Sequence, residues 1–182
     1  MLNEEAAEVL AFWFGTLKPE QRFAKNSALD DQIRERFGDL HARLSRHVPD
    51  DWLDNPEDVL AAVIVLDQFS RNLYRDDARA FAADPIALNL TRLAMQRGYD
   101  ELLGPDERQF LYMPFMHSEN ADDQDRAVEL MEEIGNAEAA DYARQHKAII
   151  ERFGRFPHRN APLARESTSE EVEFLKEPGS SF

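Results

Sequence analysis

The chain has 182 residues, 43 % hydrophobic and 31 % charged, with 36 acidic against 21 basic side chains and a formal net charge of -15. This is the mixture of an ordinary globular protein long enough for one core, and its negative field argues against nucleic acid and membrane surfaces as partners. The absence of cysteine excludes disulfides, thiolate nucleophiles and cysteine metal sites, and fits a cytoplasmic setting.

Residues 1–8 carry acids where a signal peptide would carry basic residues ahead of an apolar run, so no secretion signal is expected. Asn3 is placed to cap a first helix running through Leu10 and Trp13 to Gly15, with Glu4 and Glu5 near its positive end. Phe12, Trp13 and Phe14 fan around that helix, which predicts burial on two sides. Ser27 with Asp30 resembles a capping box, and Ile33, Phe37, Leu40 and Leu44 then follow at helical spacing.

Asn55 and Pro56 start the next helix, because proline at the first helical position loses no hydrogen bond. Its run from Val59 to Phe69 is almost wholly apolar, as expected of a central helix with Val63, Leu66 and Phe69 in the core. The longest apolar stretch, Val59 to Leu66, is eight residues, against the roughly 20 that a membrane-spanning helix needs. Asp84 and Pro85 open another helix, with Ile86, Leu90 and Leu93 as its stripe and Gly98 as its stop.

Gly104 and Pro105 begin a helix that Pro114 is expected to end or kink near Met113. From about Asn120 a helix carries Ala127, Leu130, Met131 and Ile134 before Gly135. A long helix from Asn136 carries Ala139, Ala143, His146, Ile149, Ile150 and Phe153, and stops at Gly154. An irregular proline-containing segment leads past Arg165 to a capping box of Ser167 and Glu170, a last short helix, and a frayed tail over 177–182. The prediction is a single all-α domain of seven or eight helices in antiparallel pairs, without a legible repeat.

Three polar segments interrupt this pattern. In the first, Asp67 and Arg71 are four residues apart and can pair, and Gln68 and Asn72 form a second such couple. In the second, His117 and Glu119 follow Pro114 and suit either an acid-base or metal-ligating couple or, with Ser118, local capping of the next helix. In the third, His146 lies on an apolar stripe ahead of Arg152, Arg155, His158, Arg159 and Asn160. Residues 144–165 hold six basic side chains and one acid, a basic island in an acidic chain. Its arginine forks suit a carboxylate or phosphate, or equally the protein's own acidic helix ends.

The runs LDQFSRNLYR (66–75), MHSE (116–119) and RFGRFPHRN (152–160) resemble the signature blocks of the bacterial domain of unknown function 924 family, and the likeness extends from VLAFWFG (9–15) to STSEE (167–171). Ser70 departs from that pattern, in which proline commonly follows LDQF. The resemblance implies a tetratricopeptide-like right-handed superhelix of helix pairs with a concave face, no established activity, and convergence of the three blocks on one pocket.

The leading functional expectation is a module binding an anionic small molecule or peptide end in a groove lined by these blocks. A second is a hydrolase or lyase using Asp67, His117, Glu119, His146 or His158 as acid, base or metal ligand. A third is a structural or protein-interaction role in which the polar motifs are internal fasteners. No H-E-x-x-H spacing, Gly-rich phosphate loop or nucleophile elbow is present, so neither cofactor nor metal is expected.

Overall fold

In a computed structural model the described residues are 2–182, with Met1 outside them, and they form helices and connecting turns with no strand among them. They divide into two compact units, one of the residues up to Arg75 together with Arg79–Pro114, the other of Asp76–Ala78 and Phe115–Phe182. No described helix is long and apolar enough to cross a membrane.

The first unit is built from α1 (Glu4–Leu10), α2 (Pro19–Phe23), α3 (Ser27–Leu44), α4 (Pro56–Val63), α5 (Ser70–Leu73), α6 (Asp84–Gln96) and most of α7 (Pro105–Met116). The expected caps at Asn3 and Asn55 form, their side chains accepting the N–H groups of Glu5 and Asp58. The start of α3 differs by one residue. Asn26, in extended conformation, accepts from Ala28 and Leu29, so Ser27 is the first helical residue and not the cap. Asparagine caps as well as serine does, and the residue already outside the helix takes the role. α2 has no apolar stripe and is too short to be read from periodicity.

The central apolar run is buried as predicted: residues 59–66 and Phe69 have essentially no exposed surface. The Phe69 ring stacks on Phe37 at 5.0 Å and meets Trp13 edge-on at 5.6 Å, and Trp13 in turn meets Phe110 at 5.5 Å. Such offset and edge contacts match positive ring edges with negative ring faces. Two stretches, Ala11–Thr16 and Ile64–Phe69, have widened i→i+5 turns in place of the regular ladder. α7 runs two residues past Pro114, so of the two outcomes expected there, an end or a kink, the helix does not end near Met113. Proline removes one donor from the last turn, and the Thr91 hydroxyl, 2.7 Å from the carbonyl of Leu111, supplies a donor beside it.

The second unit contains α8 (Ala121–Glu133), α9 (Ala137–Phe153) and α10 (Ser169–Phe174). α8 and α9 pack along each other as an antiparallel hairpin, the short connection leaving no other arrangement. Gly154 ends α9 at φ +70°, a left-handed cap that glycine adopts without steric cost. The capping box of α10 is Thr168 with Glu171, one residue beyond the Ser167–Glu170 pair expected. Ile149, Ile150, Phe156 and Phe174 form this unit's apolar cluster, with Phe153 against it.

Candidate functional site

The LDQFSRN segment lies where the first unit changes from widened turns to α5, and that change exposes carbonyl groups to side-chain donors. The Ser70 hydroxyl donates to the carbonyl of Leu66 at 2.6 Å, and Arg71 Nη1 donates to that of Asp67 at 2.9 Å. Arg71 also forks onto Asp84 at 2.9 and 3.0 Å, with the buried Asp67 carboxylate at 3.5 Å. Burial alone would lower the Arg71 pKa, but Asp84 and Asp67 outweigh it and raise it. The cation is locked in its charged form.

The expected Gln68–Asn72 couple does not form. Gln68 donates to Asp67 at 2.5 Å and approaches the Met113 sulfur, whereas Asn72 donates across to Asp30 at 2.8 Å, where Arg75 also binds. Each amide instead finds a carboxylate, Gln68 turning to its neighbour Asp67 and Asn72 joining Arg75 on Asp30, and such charge-assisted bonds are stronger than an amide–amide pair. A group that periodicity hinted at but the motif reading missed is His41, buried on the Phe37–Leu44 stripe with Nε2 2.7 Å from Ser70 Oγ. Burial lowers its pKa. Because Ser70 donates to Leu66, the His41 ring must donate to Ser70, an acceptor that proline could not provide.

The MHSE and RFGRFPHRN segments meet in the second unit. The buried Arg159 donates from Nη2 to the carbonyl of His117 at 2.9 Å, and its guanidinium lies over the Phe156 ring at 4.6 Å. Glu119 does not couple to His117; it accepts the Phe156 N–H at 2.8 Å and a fork from Arg165 at 2.8 and 2.9 Å. Burial would raise the Glu119 pKa, but Arg165, the Phe156 N–H and Arg159 together lower it. Ser118 serves the local helix start, accepting from Asn120 and donating to Asp123.

Arg155 forks onto Glu171 at 2.7 and 2.8 Å and donates to the carbonyl of Glu166 at 2.7 Å. Arg155, opposed by burial and helped by Thr168 and Asn160, holds Glu171 down to a pKa of about 2. The buried Asn160 reaches Ser167 and Glu171 with its amide nitrogen and accepts from Arg165. Arg152 pairs with Glu170 on the surface at 2.9 Å. The remaining cations of the basic island behave alike: Arg144 pairs with Glu132 and Asp141, and Lys147 with Asp125 and Glu151.

His146 Nδ1 donates to the carbonyl of Tyr142 at 2.7 Å, which fixes the ring as the neutral Nδ1–H tautomer. Burial is the main cause of a pKa lowered to about 3, reinforced by His117, Arg159 and His158 and only partly offset by the Tyr142 carbonyl. Its neighbours are the His117 ring at 6.1 Å, Phe156 at 5.6 Å and Phe182 stacked at 3.7 Å. His158 lies near Phe156 and Phe182 at 5.8 and 5.7 Å. No set of three or more metal-ligating side chains is grouped among the described residues.

Two open cavities occur in the first unit. One of about 350 Å³ lies among Leu44, His47, Leu53, Ile86 and Leu93, and one of about 220 Å³ among His41, Ser45, Tyr74 and Arg79. None of the site residues expected from the sequence lines either of them.

Residues 9–179 match the model of a family described as bacterial protein of unknown function (DUF924). Among solved structures the fold is similar to that of the protein of unknown function ATU0120 from Agrobacterium tumefaciens, with 40 % identity, a TM-score of 0.89, and 94 % of this chain and 96 % of that one covered. No curated protein matches. A family match over nearly the whole length, joined to this structural likeness, places the signature segments within a shared fold, and the chain belongs to the DUF924 family of bacterial proteins of unknown function.

Proposed function

We propose that this chain is a non-catalytic helical module that acts by contact with other proteins, and that its polar signature segments are fasteners of its own fold. The observation that carries this reading is the occupancy of the basic island. All six of its cations are engaged by carboxylates or backbone carbonyls of the same chain, Arg155 and Arg165 as forks onto Glu171 and Glu119. A guanidinium already bidentate to a buried carboxylate must break that pair to take an external anion, leaving an uncompensated charge. An anion groove is therefore the weaker reading of the same residues.

The acid-base reading is weaker for a related reason. Glu119 is held ionised by Arg165, so it is not poised to exchange a proton near neutral pH, and Asp67 is buried with Arg71 beside it. A cytoplasmic setting and a tetratricopeptide-like superhelix complete the proposal, the first resting on the cysteine-free sequence and the second on the family resemblance.

Thermal melts at matched ionic strength test this reading. The wild-type protein is expected to melt at the same temperature with and without phosphate, and R155Q/R159Q is expected to melt lower in both conditions, since Glu171 and the His117 carbonyl lose their donors. A phosphate-induced rise in the wild type that the double variant loses, with its basal stability retained, would restore the anion groove.

A further inference from the structure

Phe182 is the one aromatic residue of a polar segment, and its ring sits in a formed pocket. It lies flat on the His146 imidazole, with centroids 3.7 Å apart and planes 21° apart, while Phe156 and His158 present themselves edge-on at 6.4 and 5.7 Å, with interplanar angles of 80° and 79°. One parallel floor and two perpendicular walls satisfy the two favoured geometries of aromatic pairing at once. His146 as a neutral imidazole makes that floor an aromatic surface.

The pocket and its occupant are held very differently. His146 is buried on α9 and anchored to the Tyr142 carbonyl. Phe156 is buried and fixed on several sides, by Glu119 at its N–H, by Arg165 at its carbonyl and by Arg159 over its ring. None of these contacts involves Phe182, so His146 and Phe156 are held in place independently of the ring they receive. Phe182 itself is 42 % exposed. It arrives on a Pro-Gly-Ser-Ser segment that turns at Gly179, φ +77°, and is tied by the Ser180 hydroxyl to the carbonyl of Leu175 at 3.2 Å. The walls also lie inside the family match at 9–179, and the occupant lies beyond it.

We infer that the His146, Phe156 and His158 pocket is a docking site for an aromatic side chain on a flexible peptide segment of a partner protein, with Phe182 occupying it in cis as a displaceable stand-in. This inference rests on the interaction-module reading and specifies its partner chemistry: an exposed phenylalanine, or similar ring, next to small residues that let the backbone approach, as Gly179, Ser180 and Ser181 do here. Neutral apolar recognition of this kind needs no free cation, consistent with the engagement of the neighbouring arginines by the protein itself.

The test uses the full chain carrying F182A and a fluorescently labelled peptide of residues 175–182, LKEPGSSF, titrated by anisotropy. The expected result is saturable binding to F182A and at least roughly tenfold weaker binding to the wild type, where the cis ring competes at an effective concentration on the order of millimolar. The peptide with its phenylalanine replaced by alanine should bind neither, a control that leaves the protein untouched should H146A/F182A fold poorly. A folded H146A/F182A, judged by its circular dichroism, should lose the peptide. No binding to F182A, equal binding to both proteins, or binding of the alanine peptide would overturn the inference. So would dimerisation of the wild type that F182A abolishes, which would assign the pocket to a second copy of the chain. Failure of the peptide to bind leaves the phosphate melts unchanged, so this inference and the fastener reading fail separately.

Discussion

Truncating Phe69 to alanine is expected to destabilise the protein by about 3–5 kcal/mol, the usual range for deletion of a buried phenylalanine. The ring has no exposed surface and touches Phe37 on α3 and Phe12 and Trp13 on the Ala11–Thr16 stretch, so its removal opens a void that no single side chain can fill. Rigid helices around it restrict collapse, and the cost should lie toward the upper end of the range. Urea unfolding followed by circular dichroism measures it. A loss below about 1 kcal/mol, the scale of a surface change, would contradict the assignment of this ring to the centre of the first unit.

The second large effect is expected from acid. His146 has a folded pKa of about 3 against 6.5 for the free side chain, so between these values the unfolded chain binds a proton that the folded chain refuses. Stability from this group is fully present above pH 6.5 and is lost as pH falls toward 3, at up to about 1.4 kcal/mol per pH unit, or on the order of 3 kcal/mol by pH 4. His41, also lowered by burial, acts in the same direction. Glu171, depressed to about 2, contributes above pH 4.5 and adds its own loss only below that value. Urea titrations at pH 7, 6, 5 and 4 should show stability falling from pH 6.5 downward, and H146Q should remove most of the slope between pH 6.5 and 4.5. An H146Q slope equal to that of the wild type would show that the ring accepts its proton in the fold.

The elements were legible where local chemistry decides them. Asn3, Asn55, Asn120 and Asn136 cap helices whose starts can be read from a few neighbouring residues. The one-residue errors at Asn26 and Thr168 arose where two cap-competent residues stand side by side, and the choice depends on which of them leaves the helical conformation. The widened turns at 11–16 and 64–69 leave no mark in residue type, because only the hydrogen-bond register changes.

The site residues were legible as polar exceptions, but their partners were not. Arg155 meets Glu171 across 16 residues, Asn72 meets Asp30 across 42 and Arg165 meets Glu119 across 46, separations at which no periodicity operates. Glu171 in particular looked like an ordinary first-turn acid; its second role, accepting the Arg155 fork while completing the α10 capping box, depends on the tertiary fold. Phe182 carried no pattern at all, being a lone ring after proline, glycine and serine.

The most direct measurement of the central claim, that the signature residues fasten this fold, is a double-mutant cycle on Glu119 and Arg165. The pair links the MHSE segment to the end of the basic island with two parallel hydrogen bonds between mostly buried groups. Unfolding free energies of E119Q, R165Q and E119Q/R165Q are expected to yield a favourable coupling of about 1–3 kcal/mol, with each single variant destabilised. A coupling within about 0.3 kcal/mol of zero, with both single variants as stable as the wild type, would show that these residues do not hold the fold together.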